Sequence, residues 1–231
     1  MSFVCVDRIP GLAVQDALDR ERGPLEAAGE PAYFWAPGTE LRVRFLDGSP
    51  DLQRRVMAAA GDWTVDAGLT FTVVPHGAAE IRVTFAGPGN WSALGTLGRV
   101  TDLFPAGGPT MCLGEAVGAG PDRIARLARH EFGHAIGMIH EHSSPAAGIR
   151  WNKPVVYAAL GGAPNYWSKS TVEDNVFGRY SESRTQFTTF DPTSIMLYAL
   201  PPSWTLDGMT FPENVELSPM DKAFVRRVYP R

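Results

Sequence analysis

His130-Glu131-Phe132-Gly133-His134-Ala135-Ile136-Gly137-Met138-Ile139-His140 decides how the rest of the chain reads. His130 and His134 are spaced so that a helix carries both imidazoles on one face, one turn apart. Glu131 stands beside the first of them, where a general base for metal-activated water is needed. Gly137 can end the helix in a left-handed turn, and a chain that swings back there brings His140 to the same point. Three neutral imidazoles leave the fourth position of a tetrahedral zinc open to water, the arrangement of a catalytic rather than a structural site. The competing reading makes these three core histidines with separate hydrogen-bond partners, and it leaves their spacing unexplained.

The chain has 231 residues, enough for one large domain or two small lobes around a sizeable core. Hydrophobic residues make up 44% and charged residues 20%, the balance of an ordinary globular protein. The formal net charge is −4 with no basic stripe, which speaks against nucleic acid as a partner. No run of about eighteen apolar residues is present, so no membrane-spanning helix is expected. Met1 to Arg8 lacks the basic start and apolar stretch of a signal peptide. The chain is therefore expected to be cytoplasmic, to be exported by another route, or to have had a signal removed, and to act as a monomer. Two cysteines, Cys5 and Cys112, are too few for a disulfide scaffold; they form one bridge or remain two thiols.

Residues 1–34 read as a leader or pro-like segment of mixed character, with a charged, helix-compatible stretch from Val14 to Glu26. Leu41 to Leu46 alternates like a half-buried strand. Ser49 caps a helix with Pro50 at its first position. Leu52, Val56, Met57, Ala60 and Trp63 give that helix an apolar stripe, and Gly68 closes it. Further strands are expected at Leu69–Val74, Glu80–Phe85, Leu97–Leu103 and Thr110–Leu113. The helix carrying His130 and His134 runs from Pro121 to Met138. Beyond Met138 the pattern is irregular, until Ser218, Pro219 and Asp221 start a last helix that turns Phe224 and Val228 inward. The fold class is α+β: a twisted mixed sheet with two long helices, then an irregular lower part ending in a helix.

A second motif lies downstream, Asp191-Pro192-Thr193-Ser194-Ile195-Met196-Leu197-Tyr198. It resembles the Met-turn of metzincin metalloproteases in the form that astacins use. Glu141 and His142, directly after the third histidine, are similar to the astacin pattern, as are Asn90 to Gly95 and Leu217 to Lys222. The likeness covers roughly Leu41 to the end and looks closest to the bacterial and fungal branch. It implies a metzincin zincin-like catalytic domain over 35–231, with an upper part (35–137) and a lower part (138–231). It also implies one zinc ion held by His130, His134 and His140, and a protein or peptide substrate. Glu131 becomes the general base and acid, Met196 the apolar floor beneath the metal, and Tyr198 the residue that stabilises the oxyanion. Glu141 would help to anchor the N-terminal end of the mature domain. Leu197 departs from the many astacins that have histidine there, a position that is not a zinc ligand in the family.

Several readings stay open at this level. Met196 and Tyr198 are also compatible with plain core roles, His142 with a structural or solvated one, and His76 with a loop. Thr110, Met111, Cys112 and Leu113 are the candidate edge strand for an extended substrate, against an internal strand with no edge to offer. Cys5, a thiolate being a strong zinc ligand, or its neighbour Asp7 could reach the open metal position and hold the enzyme latent. The reading set against latency, and ranked above it, has Cys5 buried or bonded to Cys112. The rival function is a non-catalytic zinc-binding interaction module, its metal closed off by Cys5, Cys112 or His142. Specificity is expected in the loops around Asn165–Val176 and Leu200–Met209.

Overall fold

The computed structural model describes residues 31–163, 165–178 and 189–231. Most of the leader, with Cys5, Asp7 and the Val14–Glu26 stretch, lies outside the described residues.

Five strands form one sheet: β1 (Glu40–Phe45), β2 (Thr70–Val73), β3 (Ile81–Thr84), β4 (Asn90–Ser92) and β5 (Met111–Leu113). Their order is β2-β1-β3-β5-β4. β1 is parallel to β2 and β3, β3 is parallel to β5, and β4 alone runs antiparallel to its neighbour. Parallel neighbours cannot be joined by a tight turn. The β1-to-β2 crossover is α1 (Pro50–Ala60), which begins where the Ser49 side chain accepts from Leu52 N at 3.2 Å. Val56, Ala59 and Ala60 line its buried face, and Trp63 just beyond it donates from Nε1 to Arg129 O at 2.7 Å.

The edge-strand expectation for Thr110–Leu113 is corrected by this order. β5 is flanked by β3 and β4, and Thr110 bonds both ways: its N donates to Arg82 O and its O accepts from Ala93 N. Met111, Cys112 and Leu113 are all buried, as a continuous apolar run must be when covered on both sides. The terminal strand on this side is β4. A second difference concerns Leu97–Leu103. Gly95 has φ +47°, and the chain enters a 3₁₀ turn, Gly95–Arg99, rather than a strand. That turn places Leu94 and Leu97 in a small cluster with Tyr33, Phe104 and Ile139.

α2 (Pro121–Ala135) packs on α1 and against the sheet through Ile124, Leu127, Ala128 and Phe132. Phe132, Trp63, Leu41, Met111 and Leu113 are among the fully buried side chains of this core, each contributing about 1.5–3 kcal/mol by leaving water. α2 ends in a Schellman turn. Gly137 adopts φ +93°, Met138 N donates to Gly133 O at 2.9 Å, and Gly137 N to His134 O at 2.8 Å. Its last carbonyls are taken by side chains from far away in sequence: Trp35 Nε1 donates to Ala135 O at 2.8 Å and the Tyr229 hydroxyl to Ile136 O at 2.5 Å.

Beyond the turn, two short helices, α3 (Lys153–Gly161) and α4 (Lys169–Val172), interrupt the irregular chain, and α4 continues into a π-helical turn, Glu173–Phe177. Val156, Leu160, Val172, Val176, Tyr198, Leu200 and Trp204 form a separate lower core. α5 (Pro219–Val228) starts with a capping box between Ser218 and Asp221 and returns to the upper core through Phe224 and Val225, with Val228 packed beside them. Tyr229, wholly buried, accepts from Trp35 N at 3.3 Å while capping α2, and burial pushes its phenol far above the usual value. Tyr229→Phe strands both partners in the core. It is expected to lower stability by about 1–3 kcal/mol in urea unfolding, with the slope unchanged; an unaltered midpoint would remove this link between the two ends of the domain.

Candidate metal centre

His130 and His134 project from the last turns of α2, and the Schellman turn at Gly137 redirects the chain so that His140 faces them. The three Nε2 atoms lie 3.2 Å from one another in every pairing. Tetrahedral zinc with nitrogens at 2.0–2.1 Å separates its ligands by about 3.3 Å, so the triangle has the size the ion requires. In His130 and His134 the other ring nitrogen fixes the tautomer. His130 Nδ1 donates to Ile195 O and His134 Nδ1 to Met138 O, each at 2.8 Å. In the neutral rings this leaves the lone pairs on Nε2, turned towards the common centre. Burial, then the neighbouring His134 and His140 and the Arg126 charge, hold the His130 pKa well below its ordinary value, which keeps it a neutral ligand. Converging lone pairs at this distance repel one another unless a cation sits between them. The donor set fits one zinc ion.

Among the described residues the cluster consists of these three histidines. Cys112 lies on β5 with its Sγ 3.6 Å from Gly89 O, and His142 directs Nε2 to Asn175 O at 3.2 Å. Neither belongs to the cluster, so closure of the site by Cys112 or His142 is not what the fold provides. Closure or latency through Cys5 or Asp7 concerns residues outside the described ones.

Glu131 is completely buried and shares a small cleft with Asn90 of β4, Arg123, Arg126, His130 and Tyr198. Tyr198 is also buried, its ring centroid 4.2 Å from His140 and 6.4 Å from His130. Met196 packs against α2 at Gly133, where an added Cβ would fall 2.5 Å from its Sδ. The loop holding Met196 is tied down by Asp221, which accepts from Ser194 Oγ at 2.7 Å and from Ile195 N at 2.9 Å. The same loop supplies the carbonyl that orients His130, and Met196 O accepts from Glu141 N at 3.1 Å. The site is thus braced by the capping residue of α5, a contact for which no local sequence signal exists.

Below this loop, a cavity is lined by Glu141, Asp191 and Asp221 together with Met138, Met196 and Phe224. Burial raises the Glu141 pKa to about 8; the N–H of Asp191 opposes the rise, and the charges of Asp221 and Asp191 add to it. Sequence reasoning singled out Glu141 by resemblance alone and missed Asp191 and Asp221 as its companions.

No family model matches this chain, and no curated protein matches it significantly. Solved structures do. One structure of myroilysin is 38% identical over 88% of this chain and 98% of that one, with a TM-score of 0.84. A crystal structure of myroilysin is 36% identical over 99% of this chain and 91% of that one, with a TM-score of 0.69. The hatching enzyme zinc-protease HCE-1 (high choriolytic enzyme 1) of the medaka fish Oryzias latipes superposes with a TM-score of 0.57 over 90% of this chain and 98% of its own. At 16% identity it speaks for the fold alone. Among the described residues no helix is long and apolar enough to cross a membrane.

Proposed function

The chain belongs to the astacin-like metzincin zinc metallopeptidases and is a zinc metalloendopeptidase, and from that premise we propose that it cleaves peptide bonds of proteins with Glu131 as general base and Tyr198 as oxyanion donor. The observation that carries the reading is the triangle of three Nε2 atoms with a buried carboxylate in the adjoining cleft. His130, His134 and His140 would hold one zinc ion. When bound, the ion lowers the pKa of a water molecule to about 7 and polarises the scissile carbonyl.

The remaining work falls to side chains and backbone. Glu131 accepts a proton at a carboxylate oxygen as water attacks, then returns it to the leaving amine. The Tyr198 hydroxyl donates to the oxygen on which negative charge develops. Met196 serves as the Met-turn methionine, a shaped apolar floor that keeps the helical ligands in place. β4, the terminal strand and a neighbour of the cleft through Asn90, takes the extended substrate by main-chain hydrogen bonds. The cavity beside Glu141, Asp191 and Asp221 suits the anchoring of the mature N-terminal end that the resemblance implies for Glu141.

The test is digestion of unfolded casein by the zinc-loaded full chain. Cleavage is expected, lost on chelation and restored by added zinc. A chain that binds about one zinc and leaves casein and a peptide library untouched would contradict the reading and favour the non-catalytic zinc module.

A further inference from the structure

We infer that His142 is a positioning residue of the reaction, completing with His140 the two-ring surface on which Tyr198 packs, so that the phenol meets the developing oxyanion in one orientation. The inference rests on the oxyanion role proposed for Tyr198 and names what holds that residue in place.

His142 follows the metal ligand His140 by two positions and is 1% exposed, yet it stands outside the ligand cluster. Its ring lies parallel to that of His140, with centroids 5.1 Å apart and planes inclined by 21°. Tyr198 sits against both rings at the same centroid distance, 4.2 Å, tilted by 54° to His140 and by 34° to His142. The phenol therefore lies beside a stacked pair, touching one histidine of the ligand cluster and one outside it. The second of these is itself held from outside. Its Nε2 lies 3.2 Å from Asn175 O, and a carbonyl only accepts, so the ring donates there. Trp151 meets His142 edge-on at 6.0 Å and packs on Phe177 at 5.5 Å.

Asn175 and Phe177 both belong to the π-helical turn Glu173–Phe177. Turns of this type are uncommon and concentrate at functional sites. Here the turn supplies the carbonyl that sets the His142 ring plane, while Asn175 Nδ2 donates to Thr171 O at 2.9 Å and braces the turn. The chain of contacts runs from the π turn through His142 to Tyr198, ending at the metal ligand His140. A group that donates to a transition state must be held closely in position, because small misplacements lower rates steeply. A histidine that merely filled the core would need neither the parallel stack on a ligand nor the ring shared with Tyr198.

A double-mutant cycle separates positioning from bulk packing. His142→Leu and His142→Phe are made in the wild-type chain and in Tyr198→Phe, with zinc content and casein kinetics measured for each. His142→Leu is expected to lower kcat about tenfold with KM changed less than about twofold, and to cost less than about twofold in the Tyr198→Phe background. His142→Phe keeps a stacking ring without the donor and falls between. Equal losses in both backgrounds, loss of zinc, or an unchanged kcat in His142→Leu would each overturn the inference. If His142→Leu does not fold, His142→Phe carries the same comparison. A Tyr198→Phe enzyme with the wild-type rate would instead remove the oxyanion role itself, and the inference with it.

Discussion

Glu131→Ala in the zinc-loaded chain is expected to lower kcat by about 10²–10⁴-fold, the range of a lost general base, while about one zinc per chain remains bound. The two halves of this result come from different features of α2. His130 and His134 are related by one helical turn and face the common centre. Glu131 is the next residue along and points into the neighbouring cleft with Arg126 and Tyr198 rather than into the nitrogen triangle. Removing its carboxylate leaves three ligands with their 3.2 Å spacing and with the Ile195 and Met138 carbonyls that orient two of them. Affinity for zinc is set by those groups. Glu131→Gln, nearly the same shape and unable to take a proton, is expected to be as inactive as alanine. Measured side by side, metal content by atomic emission and casein turnover distinguish the roles. Turnover near the wild-type level in either variant would show that some other group takes the proton. Zinc loss in both would make Glu131 part of the binding site instead.

The ligand set was legible because its logic is local. Helical spacing puts His130 under His134, and the left-handed tolerance of Gly137 returns the chain for His140; none of this needs distant residues. α1 and α5 were legible for the same reason, through Ser49 with Pro50 and through Ser218 with Asp221. The strand order was not. β5 is three residues long, and whether such a run is an edge or an interior strand depends on β4 pairing with it antiparallel, which no pattern within Thr110–Leu113 encodes. Leu97 satisfied a strand pattern but follows Gly95, whose backbone turns the chain before a strand can extend. The lower core was nearly silent in the sequence because Val156 and Leu160 make only one helical repeat between loop residues. Most of what orients the site is longer in range still. Ile195 O fixes His130 across 65 positions, and Asn175 O fixes His142 across 33. Backbone carbonyls leave no trace in side-chain identity, so periodicity and motif reading cannot find them.

Gly137→Val is expected to cost both the fold and the metal. At φ +93° a β-branched residue is badly strained, and even a single methyl group would meet Phe34 Cδ1 at 2.5 Å and Cε1 at 2.9 Å. Phe34 cannot easily yield, since its ring packs edge-on against Tyr229 at 5.8 Å, and Tyr229 holds the carbonyl of Ile136, the C-cap of α2. Relief by changing φ is no cheaper. The Schellman bonds from Gly137 N and Met138 N depend on that conformation, and so does the path that brings Met138 O to His134 and His140 to the triangle. Backbone strain of this kind costs about 1–3 kcal/mol before the steric term is added. Gly137→Ala isolates the two contributions when combined with Phe34→Ala. The truncation removes the clash, so whatever penalty Gly137→Ala still adds to Phe34→Ala alone belongs to the backbone. Thermal unfolding with metal titration is the measurement. The expected order of stability is wild type, then Gly137→Ala, then Gly137→Val, with zinc affinity falling in the same order and casein cleavage following zinc occupancy. If Gly137→Val kept full zinc affinity, the turn would be dispensable for placing His140, and the local logic by which the sequence encodes the site would fail at its central residue.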